Sequence, residues 1–266
     1  MTRPVSIFIP CALILPLLAG CGGTMKPEPR KDPAQAASYF PGDPSVRWTA
    51  VGSSVEGRPI YQASFGSGDD VTLVFGGFHG SEPSSAAIVF RLAEHLARLP
   101  SALAAGRRAV LIPILNPDGY VRKERRNARG VDLNRNYPSE NWGKRPARRD
   151  LYAGAEPASE PETQAVLRLL DEVKPRKIVS IHAPLSQNNY DGPTGERLAR
   201  VLAKHNHYPV TGYIGYPTPG SFGTYAGVER KIPMVTLELP AKEAEGDLLN
   251  KLWDENRSAL MAVIND

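Results

Sequence analysis

Cysteine is nearly absent from this chain, and both copies lie close to its N-terminus. The 266 residues contain only Cys11 and Cys21, and no cysteine follows them. A disulfide framework is therefore excluded from the bulk of the chain. For the same reason, a folded domain that follows these residues has no cysteine nucleophile and no cysteine metal ligand.

Long apolar runs and a strong charge imbalance are missing as well. The longest apolar stretch, residues 7–18, is too short to span a membrane comfortably as a helix. The formal net charge of +4 is mild, with 41% hydrophobic and 23% charged residues. This balance is typical of a globular domain and does not indicate a nucleic-acid partner. A single domain of this length can bury a substantial core.

The N-terminal residues have the pattern of an export signal. Arg3 precedes the apolar stretch, which ends in Leu-Ala-Gly directly before Cys21. This ending resembles the bacterial lipobox, in which the cysteine is acylated. We predict a lipoprotein signal peptide over residues 1–20, a lipidated Cys21 with a flexible tether over 21–44, and one domain over 45–266. An ordinary signal peptide with a free Cys21 is the alternative.

The predicted location follows from this signal. A lipid-anchored protein of this kind lies on the periplasmic or cell-surface side of the bacterial envelope. Gly22, which follows the lipidated position, is not an acidic retention residue. The outer membrane is therefore the favoured location of the anchor.

The remainder of the chain alternates apolar runs with amphipathic stretches. This order predicts a single-domain α/β sandwich with a central mixed, largely parallel sheet flanked by helices. In such sheets, sites gather at the carboxyl ends of the strands. Strands are predicted at 46–51, 59–65, 71–75, 109–115, 177–181 and 234–239, and helices at 84–99, 162–173, 194–205 and 246–264.

Polar residues follow two of these predicted strands. After the strand 71–75, His79 and Glu82 are three residues apart, so that one turn can aim an imidazole and a carboxylate at one point. After the strand 109–115 come an Asn-Pro-Asp-Gly turn and a long basic stretch, residues 125–138. Taken singly, these are also compatible with a surface turn and a solvated basic loop.

Two further polar residues stand at the ends of apolar strands. His182 ends one strand, and a structural histidine is the common explanation for such a position. Glu238 lies within the apolar strand 234–239, where burial is costly unless the carboxylate is paired or used.

Together these segments resemble the zinc carboxypeptidase family. The order is His-x-x-Glu, Asn-Pro-Asp-Gly, an arginine, Gly-Val-Asp-x-Asn-Arg-Asn, a histidine and a strand glutamate. The resemblance covers the chain from about residue 46 to 240, and it implies the sandwich fold described above. It also implies one zinc ion per chain, held by His79, Glu82 and His182, with one position open for water.

The resemblance implies roles for the remaining residues. Glu238 matches the general base that activates this water, and Arg125 matches the cation that stabilises the oxyanion. Arg126 and Arg129 remain alternatives for that cation. The other matches are Asp132, which orients the first zinc histidine, and Asn134 and Arg135, which bind the terminal carboxylate of the substrate.

Some details depart from the digestive carboxypeptidases. Ser81 stands where those enzymes carry an arginine, and the tyrosine that caps their substrate has no clear counterpart, with Tyr225 near its place. Residues 55–60, 126–136, 159–163 and 218–223 resemble the bacterial murein peptide amidases instead. That subgroup cleaves the γ-D-glutamyl bond to meso-diaminopimelate in peptidoglycan peptides.

Diaminopimelate carries a second amino-acid head that a polar pocket must recognise. Residues 189–192 follow His182 and include Asp191, which we predict to bind this head. A plain turn over residues 188–192 is the alternative. The predicted partners are a peptidoglycan-derived peptide and a membrane, the latter through the lipid anchor, with no nucleic acid, and the chain is predicted to be a monomer.

Three other functions stay open at this point. The chain could be a general metallocarboxypeptidase acting on peptide C-termini. It could be a zinc deacylase of N-acyl amino acids, or a murein-binding lipoprotein with a silent site. The complete set of zinc ligands and general base argues against the silent site.

Overall fold

The computed structural model describes residues 39–143 and 151–266. The predicted signal peptide, Cys21 and most of the predicted tether lie outside the described residues. Within the described ranges, no helix combines the length and apolar character needed to cross a membrane.

The described residues form one α/β unit around an eight-stranded sheet. The strands are β1 (Thr49–Ser53), β2 (Pro59–Gly66), β3 (Asp70–Phe75), β4 (Arg107–Ile112), β5 (Lys177–His182), β6 (Gln187–Asp191), β7 (Val210–Thr211) and β8 (Met234–Glu238). The α-helices are α1 (Pro83–Arg98), α2 (Pro117–Arg122), α3 (Pro161–Val173), α4 (Glu196–Asn206) and α5 (Gly246–Asn265). Short 3₁₀ turns at Pro100–Ala102 and Leu133–Arg135 and a π-helical segment at Gly223–Glu229 complete the order.

The sheet is mixed, in the order β1-β2-β4-β3-β5-β8-β6-β7. Its centre is parallel, with β3 beside β4 and β5, and β5 beside β8. The pairs β1–β2, β2–β4 and β6–β8 are antiparallel. The predicted α/β class with a mixed, largely parallel sheet is therefore confirmed.

Side chains of the central strands pack on both faces of the sheet, which explains their nearly continuous apolar sequences. On one face, Val74, Val179 and Leu237 join a core with α1, α4 and α5. On the other face, Leu73 and Ile178 pack with α3. Helix α3 covers only part of this second face. Over β8 and the carboxyl halves of β5 and β6, the same face opens into a cavity.

Some element boundaries differ from the sequence prediction. The first strand begins at Thr49 rather than residue 46, because Trp48 packs edge-on against Phe40 and Phe90. Strand β4 covers Arg107–Ile112 rather than 109–115. The alternative of a plain turn over residues 188–192 is wrong, since Gln187–Asp191 is strand β6 and pairs with β8.

Candidate active site

Three strands present their polar side chains on the open face of the sheet in successive rungs. At the carboxyl end of β5, His182 pairs in register with Glu238 of β8. One rung deeper, Ser180 and Thr236 are paired, and Asn189 of β6 lies beside Thr236. The third rung places Asp191 beside Met234, and all seven of these residues line one cavity of about 300 Å³.

The predicted metal ligands meet at the mouth of this cavity. His79 Nδ1 lies 2.9 Å from Glu82 Oε1 and 3.3 Å from His182 Nδ1, which lies 3.2 Å from Glu82 Oε2. Donor atoms about 2.0–2.1 Å from a tetrahedral zinc ion are about 3.3 Å apart, so this spacing fits zinc. In residues 39–143 and 151–266, this is the one cluster of His, Cys, Asp or Glu that could hold a metal.

The backbone explains why these ligands converge. Glu82 is the N-cap residue of α1, but its side chain makes no capping hydrogen bond and turns to the two histidines instead. The turn that carries His79 is tightly packed, because a Cβ atom at Gly80 would lie 1.9 Å from the backbone carbon of Gly119. Only glycine fits there, which accounts for the glycine next to His79.

Asp132 fixes the orientation of His79. Its Oδ1 lies 3.1 Å from His79 Nε2, which leaves Nδ1 directed at the metal position. The other carboxylate oxygen accepts two hydrogen bonds from Arg125, from Nε at 3.0 Å and from a terminal nitrogen at 2.9 Å. Arg125 also lies 3.5 Å from Glu82, so its guanidinium stands at the metal position.

The charged side chains around the metal position shift one another's pKa values. Burial would raise the pKa of Asp132, but Arg125 and His79 hold it well below its usual range. Burial would also raise the pKa of Glu82, and His79 lowers it instead. Both carboxylates are therefore ionised at neutral pH, as a metal ligand and its supporting acid require.

Glu238 is the remaining acid at the cavity mouth. Burial raises its pKa, and the nearby carboxylate of Glu82 adds to the rise, although the neighbouring histidines oppose it. Its Oε2 is buried and has no hydrogen-bond partner within the described residues. A carboxylate with a raised pKa and a free oxygen is suited to accept a proton from a water molecule and to return it.

Asn134 and Arg135 lie on the 3₁₀ turn that follows Asp132. The side-chain oxygen of Asn134 accepts a hydrogen bond from the Phe222 backbone N–H at 2.9 Å, so its amide nitrogen is available to a ligand. Arg135 is almost fully buried, and its Nε has no partner among the residues described. Both residues line the cavity, as a binding site for a carboxylate would require.

Asp191 is partly buried and lines the cavity two rungs away from Glu238. Burial raises its pKa to about 6, while the charge of Arg135 opposes the rise. The carboxylate has no hydrogen-bond partner among the described side chains. A Cβ atom at Gly223 would come within 2.2 Å of Asp191 Oδ2, so glycine at this position makes room for the carboxylate.

Comparison with known proteins agrees with this geometry. Residues 43–192 match the zinc carboxypeptidase family. The chain is 34% identical to murein peptide amidase A of Escherichia coli (strain K12) over 218 aligned residues. The alignment covers 78% of this chain and 85% of that protein. The chain belongs to the zinc carboxypeptidase family. It is therefore a zinc metallopeptidase close to murein peptide amidase, and both the predicted family and the hydrolase class are confirmed.

Solved structures share this fold. The crystal structure of murein-tripeptide amidase MpaA from Escherichia coli O157 has a TM-score of 0.64 and 30% identity, covering 85% of this chain and 96% of that one. Bovine thrombin-activatable fibrinolysis inhibitor has a TM-score of 0.72 over 82% of this chain and 89% of that one. Its identity of 22% supports the fold alone.

One predicted site residue of this family member lies elsewhere. Tyr225 does not line the cavity, because the π-helical segment turns it onto Tyr137, with ring centroids 5.9 Å apart. Tyr213 and Tyr216 line the cavity instead, and both are exposed. They lie on a loop rich in glycine, proline and tyrosine with no helical or strand periodicity, so the sequence pattern did not indicate their position.

Ser180 and Thr236 also line the cavity and had no predicted role, whereas Asn189 belongs to the segment 189–192 that was predicted to recognise the substrate. Ser180, Asn189 and Thr236 form the middle rung, and the Ser180 hydroxyl and Asn189 Oδ1 are buried without partners in the described ranges. Each of them lies two residues from a predicted site residue on the same strand, so both side chains point to the same face of the sheet. Lys242 also lines the cavity, four residues after Glu238, and makes no ion pair with a described residue.

Proposed function

We propose that this zinc metallopeptidase cleaves the amide bond between γ-D-glutamate and meso-diaminopimelate in peptidoglycan peptides. The observation that carries the proposal is the pairing of opposite charges inside one cavity. Arg135 and Asn134 suit the α-carboxylate next to the cleaved bond, and Asp191 suits the ammonium group at the far end of a long side chain. The names of the relatives, murein peptide amidase A and murein-tripeptide amidase, support this substrate.

The length of the cavity along β8 matches a long polar side chain. Glu238 lies four residue positions after Met234, the partner of Asp191, which corresponds to about 13 Å along the strand. The middle rung offers Asn189 Oδ1 and the Ser180 hydroxyl to an amino-acid head. A terminal residue with a purely apolar side chain would cover the Asp191 carboxylate without giving it a hydrogen-bond partner, which is costly.

The γ-linkage adds a further carboxylate. A γ-linked D-glutamate keeps its α-carboxylate free on the other side of the cleaved bond. Lys242 stands at the cavity, and its backbone carbonyl accepts a hydrogen bond from Ser84 N at 2.9 Å, which fixes the segment beside α1. We assign Lys242 to this carboxylate.

The residues divide the chemistry as follows. Zinc held by His79, Glu82 and His182 would polarise the scissile carbonyl and lower the pKa of a water molecule. Glu238 accepts the proton of the attacking water and delivers it to the leaving amine. Arg125, placed by Asp132, donates hydrogen bonds to the carbonyl oxygen as its negative charge develops.

The test is turnover of a defined peptide. Purified zinc-loaded protein is incubated with L-Ala-γ-D-Glu-meso-diaminopimelate and with ordinary C-terminal peptides, and products are followed by mass spectrometry. We expect release of diaminopimelate by the native protein and none by the Glu238→Gln variant. Release of ordinary C-terminal residues alone would instead support a general carboxypeptidase. No turnover of either substrate would favour the deacylase or the silent binder.

We also propose that the protein is lipid-anchored at Cys21 on the periplasmic or cell-surface side of the bacterial envelope, with the outer membrane as the favoured location of the anchor. The support is the sequence before Cys21, which lies outside the described residues. Metabolic labelling with a radioactive fatty acid tests it, with Cys21→Ser as the control. Label in the native chain that persists in the variant would refute the assignment.

A further inference from the structure

Two sequence segments have no place in the chemistry above. Residues 55–60 and 159–163 resemble the murein amidases, yet neither segment lines the cavity. The structure brings both segments together beneath the loop that carries Arg125 and Asp132. The residue that joins them to this loop is Asn127.

Asn127 uses every hydrogen-bonding group of its side chain. It is 2% exposed, and its Nδ2 donates to Glu160 Oε2 at 2.7 Å and to Glu162 Oε2 at 3.3 Å. Its Oδ1 accepts from the backbone N–H groups of Arg129 and Val131, both at 3.0 Å. The two acids therefore fix the amide, and the amide closes the turn.

This turn lies directly between two residues of the site. Arg125 precedes Asn127 by two positions, and Asp132 follows Val131. The backbone closes the same turn, since Asn127 N donates to the Val131 carbonyl at 2.9 Å. A change in its shape would move the guanidinium of Arg125 and the carboxylate of Asp132 together.

Glu162 also accepts a hydrogen bond from the segment 54–58. Glu162 Oε1 accepts from Val55 N at 3.2 Å. Asp118 accepts from Ser54 Oγ at 2.7 Å and Glu56 N at 3.0 Å, and Arg58 pairs with the same carboxylate. The segment 54–58 thus joins the acids near α3 to the Asn-Pro-Asp-Gly turn.

We propose that Asn127, held by Glu160 and Glu162, is a positioning residue that sets Arg125 and Asp132 for catalysis and metal binding. The kinetic part of the test rests on the proposed function, and the zinc-binding part does not. Two effects follow. Misplacing Asp132 loosens the orientation of His79, which weakens zinc retention. Misplacing Arg125 removes an interaction made in the transition state, which lowers kcat without raising KM.

The test variant is Asn127→Asp. It keeps the oxygen that closes the turn but replaces the two donors with a carboxylate facing Glu160 and Glu162. We expect a fall of about 10- to 100-fold in kcat with little change in KM, and faster transfer of zinc to a chromogenic chelator by about tenfold or more. Zinc transfer needs no substrate, so it tests the inference even if the murein peptide is not cleaved.

Asn256→Asp is the matched control. Asn256 is also fully buried, and its Nδ2 donates to the Leu252 carbonyl at 2.9 Å on α5, which packs on the face of the sheet opposite the cavity. This variant should lose stability without the change in zinc transfer or kcat. Equal effects of both variants, compared at equal folded fraction, would overturn the proposal.

A reciprocal exchange gives a second check. In the double variant Asn127→Asp/Glu160→Gln, the donor and the acceptor of the shortest contact change places, so the hydrogen bond can form again. We expect zinc retention and kcat to recover by at least about threefold over Asn127→Asp alone, of the size of one restored hydrogen bond. Absence of any recovery would also overturn the proposal.

Discussion

Asp191 gives the sharpest test of substrate recognition, because we expect it to lower the folding stability of the free enzyme and to strengthen the binding of the substrate. Burial raises its pKa from the usual 3.8 to about 6. A carboxyl whose pKa is raised on folding contributes stability below its unfolded pKa and loses it as the pH rises to the folded pKa. Between about pH 4 and 6 the folded protein therefore loses stability, by at most about 3 kcal/mol at pH 7.5.

The perturbation is Asp191→Asn, which keeps the shape and removes the charge. At pH 7.5 we expect the variant to be more stable than the native protein, with a melting temperature higher by up to about 5–10 °C. At pH 4 the difference should disappear. Differential scanning calorimetry at the two pH values measures both effects.

The same substitution should damage catalysis on one class of substrate. A hydrogen bond to a charged group contributes about 1.5–3 kcal/mol, so kcat/KM should fall by about 10- to 150-fold on the diaminopimelate peptide. The matched peptide with L-Lys keeps the ammonium and should lose a similar factor. The L-norleucine peptide lacks it, so the variant should cleave this peptide at least as well as the native protein. Equal losses on all three peptides, with no stabilisation at pH 7.5, would refute the assignment of Asp191.

Three further predictions concern separate parts of the molecule. Asp132→Asn should weaken zinc binding about 10- to 100-fold, measured by chelator competition, because the amide can present the wrong group to His79 Nε2. Burial raises the pKa of Glu162 to about 7, so Glu162→Gln should raise stability by up to about 3 kcal/mol above pH 7 and converge with the native protein near pH 4.5, as urea unfolding would show. Lys242→Ala should lower kcat/KM about tenfold on the γ-D-glutamyl peptide but little on its D-isoglutaminyl counterpart, whose α-carboxylate is an amide.

Much of the fold could be predicted because its central strands are buried on both faces. Strands β3 and β5 consist mainly of apolar and β-branched residues, and two metal ligands lie at or just after their carboxyl ends, His182 and His79. The spacing His-x-x-Glu needs only one turn, so local sequence was enough to bring His79 and Glu82 together. His182 and Glu238 required the register of β5 and β8, which the family resemblance supplied.

Strand β6 could not be recognised from its own sequence. Its residues, Gln-Asn-Asn-Tyr-Asp, show no apolar alternation, because their partners are polar on both faces. Asn188 Nδ2 donates to Asn206 Oδ1 at 3.0 Å on one side of the sheet. Asn189 and Asp191 face the cavity on the other side. A strand that carries polar side chains on both faces has the composition of a loop.

The arrangement of charges in the cavity argues for a substrate that carries several charges of its own. Binding one terminal carboxylate needs one cation, which Arg135 provides. Asp191 and Lys242 are then unexplained, and a carboxylate whose pKa is raised on folding is retained at a cost in stability. A peptide with a free glutamyl carboxylate before the cleaved bond and an ammonium group beyond it would pair both. The cost that Asp191 imposes on the free protein is, on this argument, the source of its selectivity, since only a cationic side chain relieves it.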